Sequence, residues 1–180
     1  MKNPILVVSL VLLFCFAFGC QNKAEKAELE KFRTQAELEA QNKALIERVI
    51  AAWNKGDFDS IREHAVPEFV RYIPSNKIDM GSLEEIIEYG KALHIGFPDI
   101  NFTIEELYAA GDRVAYRYTM RGTHQGEWAG IPATGNKVEI SGVGIWRIEN
   151  GKVVDSREEP DVLGFVQQLG MELKPKEVKK

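Results

Sequence analysis

The sequence predicts an α+β fold, in which a curved antiparallel sheet wraps around N-terminal helices. Two observations carry this. Apolar residues recur at helical spacing up to about Ile95, and from Asn101 onward they alternate with polar residues at period two. Helices first and hairpin-linked strands after is the order expected when helices pack on one face of an antiparallel sheet.

The first stretch stands outside that fold. Lys2 precedes an apolar run from Ile5 to Phe18, broken only by Ser9, which closes on Ala17-Phe18-Gly19-Cys20. Roughly fourteen residues fall short of the ~20 that span a bilayer as a helix, but they suit a signal-peptide core. The small residues before the cysteine resemble a bacterial lipobox, where the cysteine is lipidated and becomes the new N-terminus. The alternatives are a buried helix or an uncleaved anchor, and Gln21 onward offers no turn or cap to end such a helix. The expectation is therefore a signal peptide over residues 1–19, lipidation at Cys20, and a membrane-anchored place in the bacterial cell envelope. Gln21 after the cysteine suits the outer membrane under enterobacterial-type sorting.

Cys15 and Cys20 are the two cysteines. With one removed and the other acylated, none is left for a disulfide, a thiolate metal site or a catalytic nucleophile. Lys and Arg number 23 against 27 Asp and Glu, a formal charge of −4, and loss of Lys2 with the leader takes this to −5. Sequence-independent nucleic-acid binding needs clustered positive charge, which is lacking, so that partner is excluded.

Residues 20–41 carry the lipidated cysteine and a Lys-, Glu-, Ala- and Gln-rich tether, helical in part. Residues 42–172 form one domain, and 173–180 a charged tail. Leu38, Leu45, Val49 and Trp53 follow helical spacing, and Gly56 caps that helix. Asp57 starts a short helix through Ile61 to His64, stopped before Pro67. Phe69 to Ile73 is an extended piece ended by Pro74-Ser75-Asn76. Ser82, with Glu85 three residues on, reads as a capping box for a helix to about Ile95, ended by Gly96 and Pro98.

Strands follow at Asn101–Tyr108, Val114–Gly122, Lys137–Ile148 and Lys152–Glu159, with Asn150-Gly151 a strong hairpin signal. Asp161 to Leu169 is a closing helix. Alternation puts Val114, Tyr116, Tyr118 and Met120 on one face, and Val138, Ile140, Gly142, Gly144 and Trp146 on one face of the next strand. Gly142 and Gly144 mark a bend, or a place where another group approaches the backbone closely, and a sheet bent there leaves a conical hollow.

Several ordered motifs then resemble the SnoaL-like polyketide (ester) cyclase family of the nuclear transport factor 2-like superfamily. They are Trp53-Asn54-Lys55-Gly56-Asp57-Phe58, Phe97-Pro98-Asp99-Ile100, Gly122-Thr123-His124-Gln125-Gly126, Gly130-Ile131-Pro132-Ala133-Thr134-Gly135, Gly142 to Arg147, Gly151-Lys152-Val153-Val154 and Asp161-Val162-Leu163-Gly164. The resemblance spans roughly Ala44 to Gly170. It implies a cone-shaped fold with an apolar pocket, and an acidic side chain serving as acid/base for an intramolecular aldol closure without metal or cofactor. Such a base takes a proton α to a carbonyl while the pocket stabilises the enolate. Glu158 stands at the position of that acid/base, and Arg157 stands where the family carries tryptophan.

The candidate catalytic residues are Glu158, His124 and Asp161. For His124 the competing reading is a packed loop histidine, and for Asp161 an N-cap to the closing helix. Trp53, Tyr116, Tyr118, Met120 and Trp146 are candidates to line a ligand site, their other reading being ordinary core. His64, His94 and His124 lack the close spacing of helical zinc sites, so no metal is expected. Alternation further expects Glu158 to face the cone and Arg157 to lie on the outer face or a dimer surface. The leading functional expectation is binding of a small apolar or polycyclic molecule, with ester cyclase- or isomerase-type acid–base chemistry. The competing one is a non-enzymatic envelope module that captures ligand or forms a homodimer through its sheet.

Overall fold

A computed structural model of the chain describes residues 4–172 and 174, with side chains from residue 23 onward. The apolar run and Cys20 therefore lie outside the described side chains. Among the described residues, no helix is long and apolar enough to cross a membrane. The chain divides into two units, residues 1–38 and 39–180. In the first, Leu29 and Phe32 are exposed on a helical stretch.

The second unit begins inside helix α1 (Pro4–Lys55), which closes as the sequence predicts. Gly56 adopts φ +65°. Its N–H bonds Trp53 O at 3.0 Å and the Asp57 N–H bonds Ala52 O at 2.9 Å, the paired bonds of a Schellman cap. Asp57 then caps α2 (Phe58–His64) through Ser60 N–H. Ser82 caps α3 (Leu83–Gly96) by accepting from Glu85 N–H at 3.3 Å. The reciprocal half of the capping box is displaced by one residue, because the Glu85 carboxylate takes the Gly81 N–H.

Six strands form one sheet: β1 (Ala65–Ile73), β2 (Ile78–Met80), β3 (Asn101–Ala110), β4 (Arg113–Thr123), β5 (Lys137–Glu149) and β6 (Lys152–Pro160), in the order β2-β1-β6-β5-β4-β3. The sheet is antiparallel except where β1 runs parallel to β6. This departs from the wholly antiparallel expectation. The helix α3 and four further strands separate β1 from β6, and a connection that long can deliver a strand in either sense. The short β2 also goes beyond the sequence reading.

Between β5 and β6, Asn150 at φ +51° and Gly151 at φ +74° make the expected tight turn. Burial along β4 and β5 alternates residue by residue, so one face of the sheet is core. Leu45, Ile46, Val49 and Trp53 of α1, Ile86 and Ile87 of α3, and inward residues of every long strand share that core. Gly142 and Gly144 serve close approach. A Cβ at 142 would stand 2.4 Å from the Tyr118 ring, and one at 144 would stand 2.3 Å from the Tyr116 ring. The two missing side chains let both tyrosines lie across β5, stacked on each other with centroids 5.1 Å apart.

Candidate functional site

The inner face of the sheet is apolar apart from a few side chains, and two of these carry charge. Arg71 sits on β1 between Phe69 and Ile73, both buried, so strand alternation turns it inward. Glu158 sits on β6 and is 2% exposed. Arg71 Nη2 donates to Glu158 Oε2 at 2.6 Å. The guanidinium also lies 5.3 Å from the Trp53 ring centroid and 5.8 Å from that of Tyr89, so two aromatic faces hold it in place. Burial is the largest influence on the Arg71 pKa and would lower it, but the Glu158 charge together with Tyr89, Tyr116 and Tyr118 more than offsets it, so the guanidinium is held more firmly protonated.

This ion pair forms part of the wall of a cavity of about 550 Å³. That volume falls within the roughly 300–1,000 Å³ of small-molecule sites. Its other walls are mostly apolar, from Leu93 on α3, Phe102, Met120 and Ile140 on the sheet, and Trp128 and Phe165 beyond it. Tyr89 and Tyr118 also line it. Burial, followed by the Glu158 charge, pushes the Tyr118 hydroxyl well above its ordinary pKa. Burial also raises the Tyr89 hydroxyl, partly offset by Arg71. Both stay neutral hydrogen-bond donors beside the carboxylate.

Of the sequence candidates, Glu158, Tyr118 and Met120 line this cavity. Trp53, Tyr116 and Trp146 lie behind the ion pair, around a smaller space that Glu158 and Arg71 also border. His124 lines neither space. It is fully buried, stacked on Phe97 with centroids 5.0 Å apart, and its Nδ1 accepts from the Thr134 N–H at 3.3 Å. Asp161 caps α4 (Val162–Gln168) by accepting from Gly164 N–H at 2.8 Å. Arg157 is exposed and rests its guanidinium 5.4 Å from the Tyr72 ring, on the face opposite Glu158. Glu158 thus takes its arginine from β1 instead of from its chain neighbour. Among the described residues, no group of three or more His, Cys, Asp or Glu could hold a metal ion.

Arg71 is the charged cavity residue that the sequence analysis did not single out. The signal was present, because Phe69, Arg71 and Ile73 share one face of a strand, and a charge on an apolar face calls for a buried partner.

Residues 43–169 match the sequence profile of the SnoaL-like polyketide cyclases. The chain belongs to that family. Over 136 residues it is 29% identical to the aklanonic acid methyl ester cyclase DauD of Streptomyces sp. (strain C5), covering 70% of this chain and 80% of that one. The nogalonic acid methyl ester cyclase of Streptomyces nogalater is 27% identical over 131 residues, 68% of this chain and 92% of its own. Among solved structures, AclR of Streptomyces galilaeus, described as a candidate hydroxylase, superposes with a TM-score of 0.66 at 32% identity, covering 73% of this chain and 97% of its own. A SnoaL-like protein from Jannaschia sp. CCS1 gives a TM-score of 0.69 at 24% identity, covering 76% and 96%, and speaks for the fold.

Proposed function

We propose that this SnoaL-like domain binds a small, largely apolar, polycyclic molecule in the 550 Å³ cavity and that Glu158 acts on it as a general base of the ester cyclase or isomerase type. The observation that carries the reading is a buried carboxylate on the wall of an apolar cavity, with a fixed guanidinium 2.6 Å away. A carboxylate can serve as base toward a C–H already acidified by a neighbouring carbonyl. The remaining N–H groups of Arg71 and the neutral hydroxyls of Tyr89 and Tyr118 would favour negative charge developing on the enolate oxygen. The cyclase names of DauD and its relative support this chemistry, whereas the description of AclR as a candidate hydroxylase shows that the family name alone does not decide it.

Aklanonic acid methyl ester is the natural probe. Quenching of the fluorescence of Trp53 and Trp128 should report saturable binding, and chromatography should report turnover. Glu158→Gln should lower turnover by roughly 10²–10⁴-fold while binding changes only a few-fold. Turnover that survives in Glu158→Gln sinks the base assignment. Binding without turnover in the unaltered protein leaves a ligand-capturing module. That second reading draws on one observation: Glu158 is tied to Arg71 in a buried ion pair at 2.6 Å. Exposed Val143 and Ile145 on the outer sheet face support its homodimer form, which gel filtration with light scattering would test.

The proposal includes the anchor. Cys20 is lipidated after cleavage of the leader and holds the domain at the bacterial cell envelope, as the run Ile5–Phe18 and Ala17-Phe18-Gly19-Cys20 support. Cys20→Ser should then release the protein from the membrane fraction or leave an unprocessed precursor. A wild-type protein that fractionates as soluble, with Cys20 unmodified by mass spectrometry, would refute the anchor.

A further inference from the structure

Behind the ion pair lies a second space of about 20 Å³, bordered by Val49 and Trp53 of α1, Tyr116 and Trp146 of the sheet, and Arg71 and Glu158 themselves. The pair is thus a partition with the ligand cavity on one side and this chamber on the other. Four buried polar atoms at this level have no hydrogen-bond partner among the described residues: Arg71 Nε, Trp146 Nε1, Ser156 Oγ and Glu158 Oε1. Strand register brings them together. Arg71, Ser156 and Trp146 stand side by side across β1, β6 and β5, and Glu158 follows Ser156 on the same inward face of β6, opposite Gly144. The Tyr116 ring lies close against Gly144, and its hydroxyl comes near Trp146 without a hydrogen bond to Nε1.

Their chemistry selects an occupant. Arg71 Nε and Trp146 Nε1 can only donate, a carboxylate oxygen can only accept, and the Ser156 hydroxyl can do either. A cation would meet two N–H donors and a guanidinium, and an anion would meet the carboxylate. A water molecule offers two acceptor and two donor positions, which matches the set. The chamber also exceeds the roughly 10–15 Å³ that one water needs, and a buried water requires two to four polar partners.

We propose that this chamber is a built site for one ordered water, which accepts from Arg71 Nε and Trp146 Nε1 and donates to Glu158 Oε1 and Ser156 Oγ. With Arg71 Nη2 on Oε2 and the water on Oε1, the carboxylate is held at both oxygens and its plane cannot turn freely. The water is a positioning partner of Glu158. Its presence does not depend on any ligand or reaction, so loss of turnover leaves this proposal standing, and loss of the water leaves the ligand site standing.

The test is a crystal structure of the full chain in detergent at a resolution that shows ordered waters. The expected result is one density peak at roughly 2.7–3.2 Å from both Trp146 Nε1 and Glu158 Oε1. In solution, the indole N–H of Trp146 should show an Overhauser cross-peak to a long-lived water. Trp146→Phe keeps most of the ring and removes one donor, and Ser156→Ala removes one acceptor with little change of volume. Either should displace or weaken the peak. A chamber closed by a rotated Glu158 or Tyr116, an indole proton with no water cross-peak, or a peak unaltered in both variants overturns the proposal.

Discussion

On the outer face of the sheet, Arg117 pairs with Glu106 at 2.8 Å and Arg121 with Glu139 at 2.9 Å, with side chains 46% to 64% exposed. On the inner face, Arg71 pairs with Glu158 at 2.6 Å with 10% and 1% exposed. The distances are alike and the consequences differ. Water already solvates the outer charges, so pairing them contributes about 0–1 kcal/mol. The inner charges have lost their bulk solvent, and their attraction only offsets that loss, so an apolar pair of similar volume would be as stable or more so. Stability therefore does not explain the inner pair, whereas the proposed role of Glu158 as a base facing the cavity would.

Breaking the inner pair from one side should have the largest effect. Arg71→Met leaves Glu158 buried without its partner and should cost about 3–5 kcal/mol in urea unfolding. A loss near that of a surface substitution would mean that bulk solvent reaches Glu158 and that the two faces are not so different.

Alkaline titration sharpens the contrast next. Burial pushes the Tyr116 and Tyr118 hydroxyls well above the ordinary value of 10.0, with the Glu158 charge adding to it. A group with a raised folded pKa contributes stability that is fully present below the unfolded pKa and is lost as pH rises beyond it. Unfolding free energy should therefore hold to about pH 10 and fall by roughly 1.4 kcal/mol per buried tyrosine by pH 11. Tyrosinate absorbance should rise together with unfolding. Early ionisation of all five tyrosines in the folded state would contradict the burial of Tyr116 and Tyr118 on the inner face.

Gly144→Ala probes the close approach of Tyr116. The new Cβ would stand 2.3 Å from that ring and 3.1 Å from Glu158 Cγ, an overpacking that should cost about 1–3 kcal/mol. The smallest effect belongs to the outer face, where Arg121→Ala should change stability by no more than about 1 kcal/mol, and less at high salt. A larger loss there would point to an interface that covers this face.

What the sequence made legible was local. The caps at Asp57, Ser82 and Asp161, the Gly56 helix end and the Asn150-Gly151 turn depend on residues a few positions apart, and each appears where the pattern puts it. Alternation also placed Glu158 inward and Arg157 outward, because period two is a property of any strand. Gly142 and Gly144 announced a close approach, but nothing in the pattern says which rings approach. The parallel pairing of β1 with β6 joins segments at opposite ends of the domain, so neither carries a signal for the other. The Arg71–Glu158 pair follows from that pairing and was hidden with it. His124 shows the limit of motif reading, since its loop is where the resemblance puts it while its ring packs on Phe97, away from the cavity.

The most direct test is the double variant Arg71→Met/Glu158→Leu, followed by urea unfolding and by turnover of aklanonic acid methyl ester on the same preparation. Removing both charges leaves no buried ion unpaired, so stability should return to the wild-type value or exceed it by about 1–4 kcal/mol. Turnover should be absent while the apolar cavity still takes up the probe. A double variant as unstable as Arg71→Met, or one that still turns the ester over, would contradict the assignment of this pair to function.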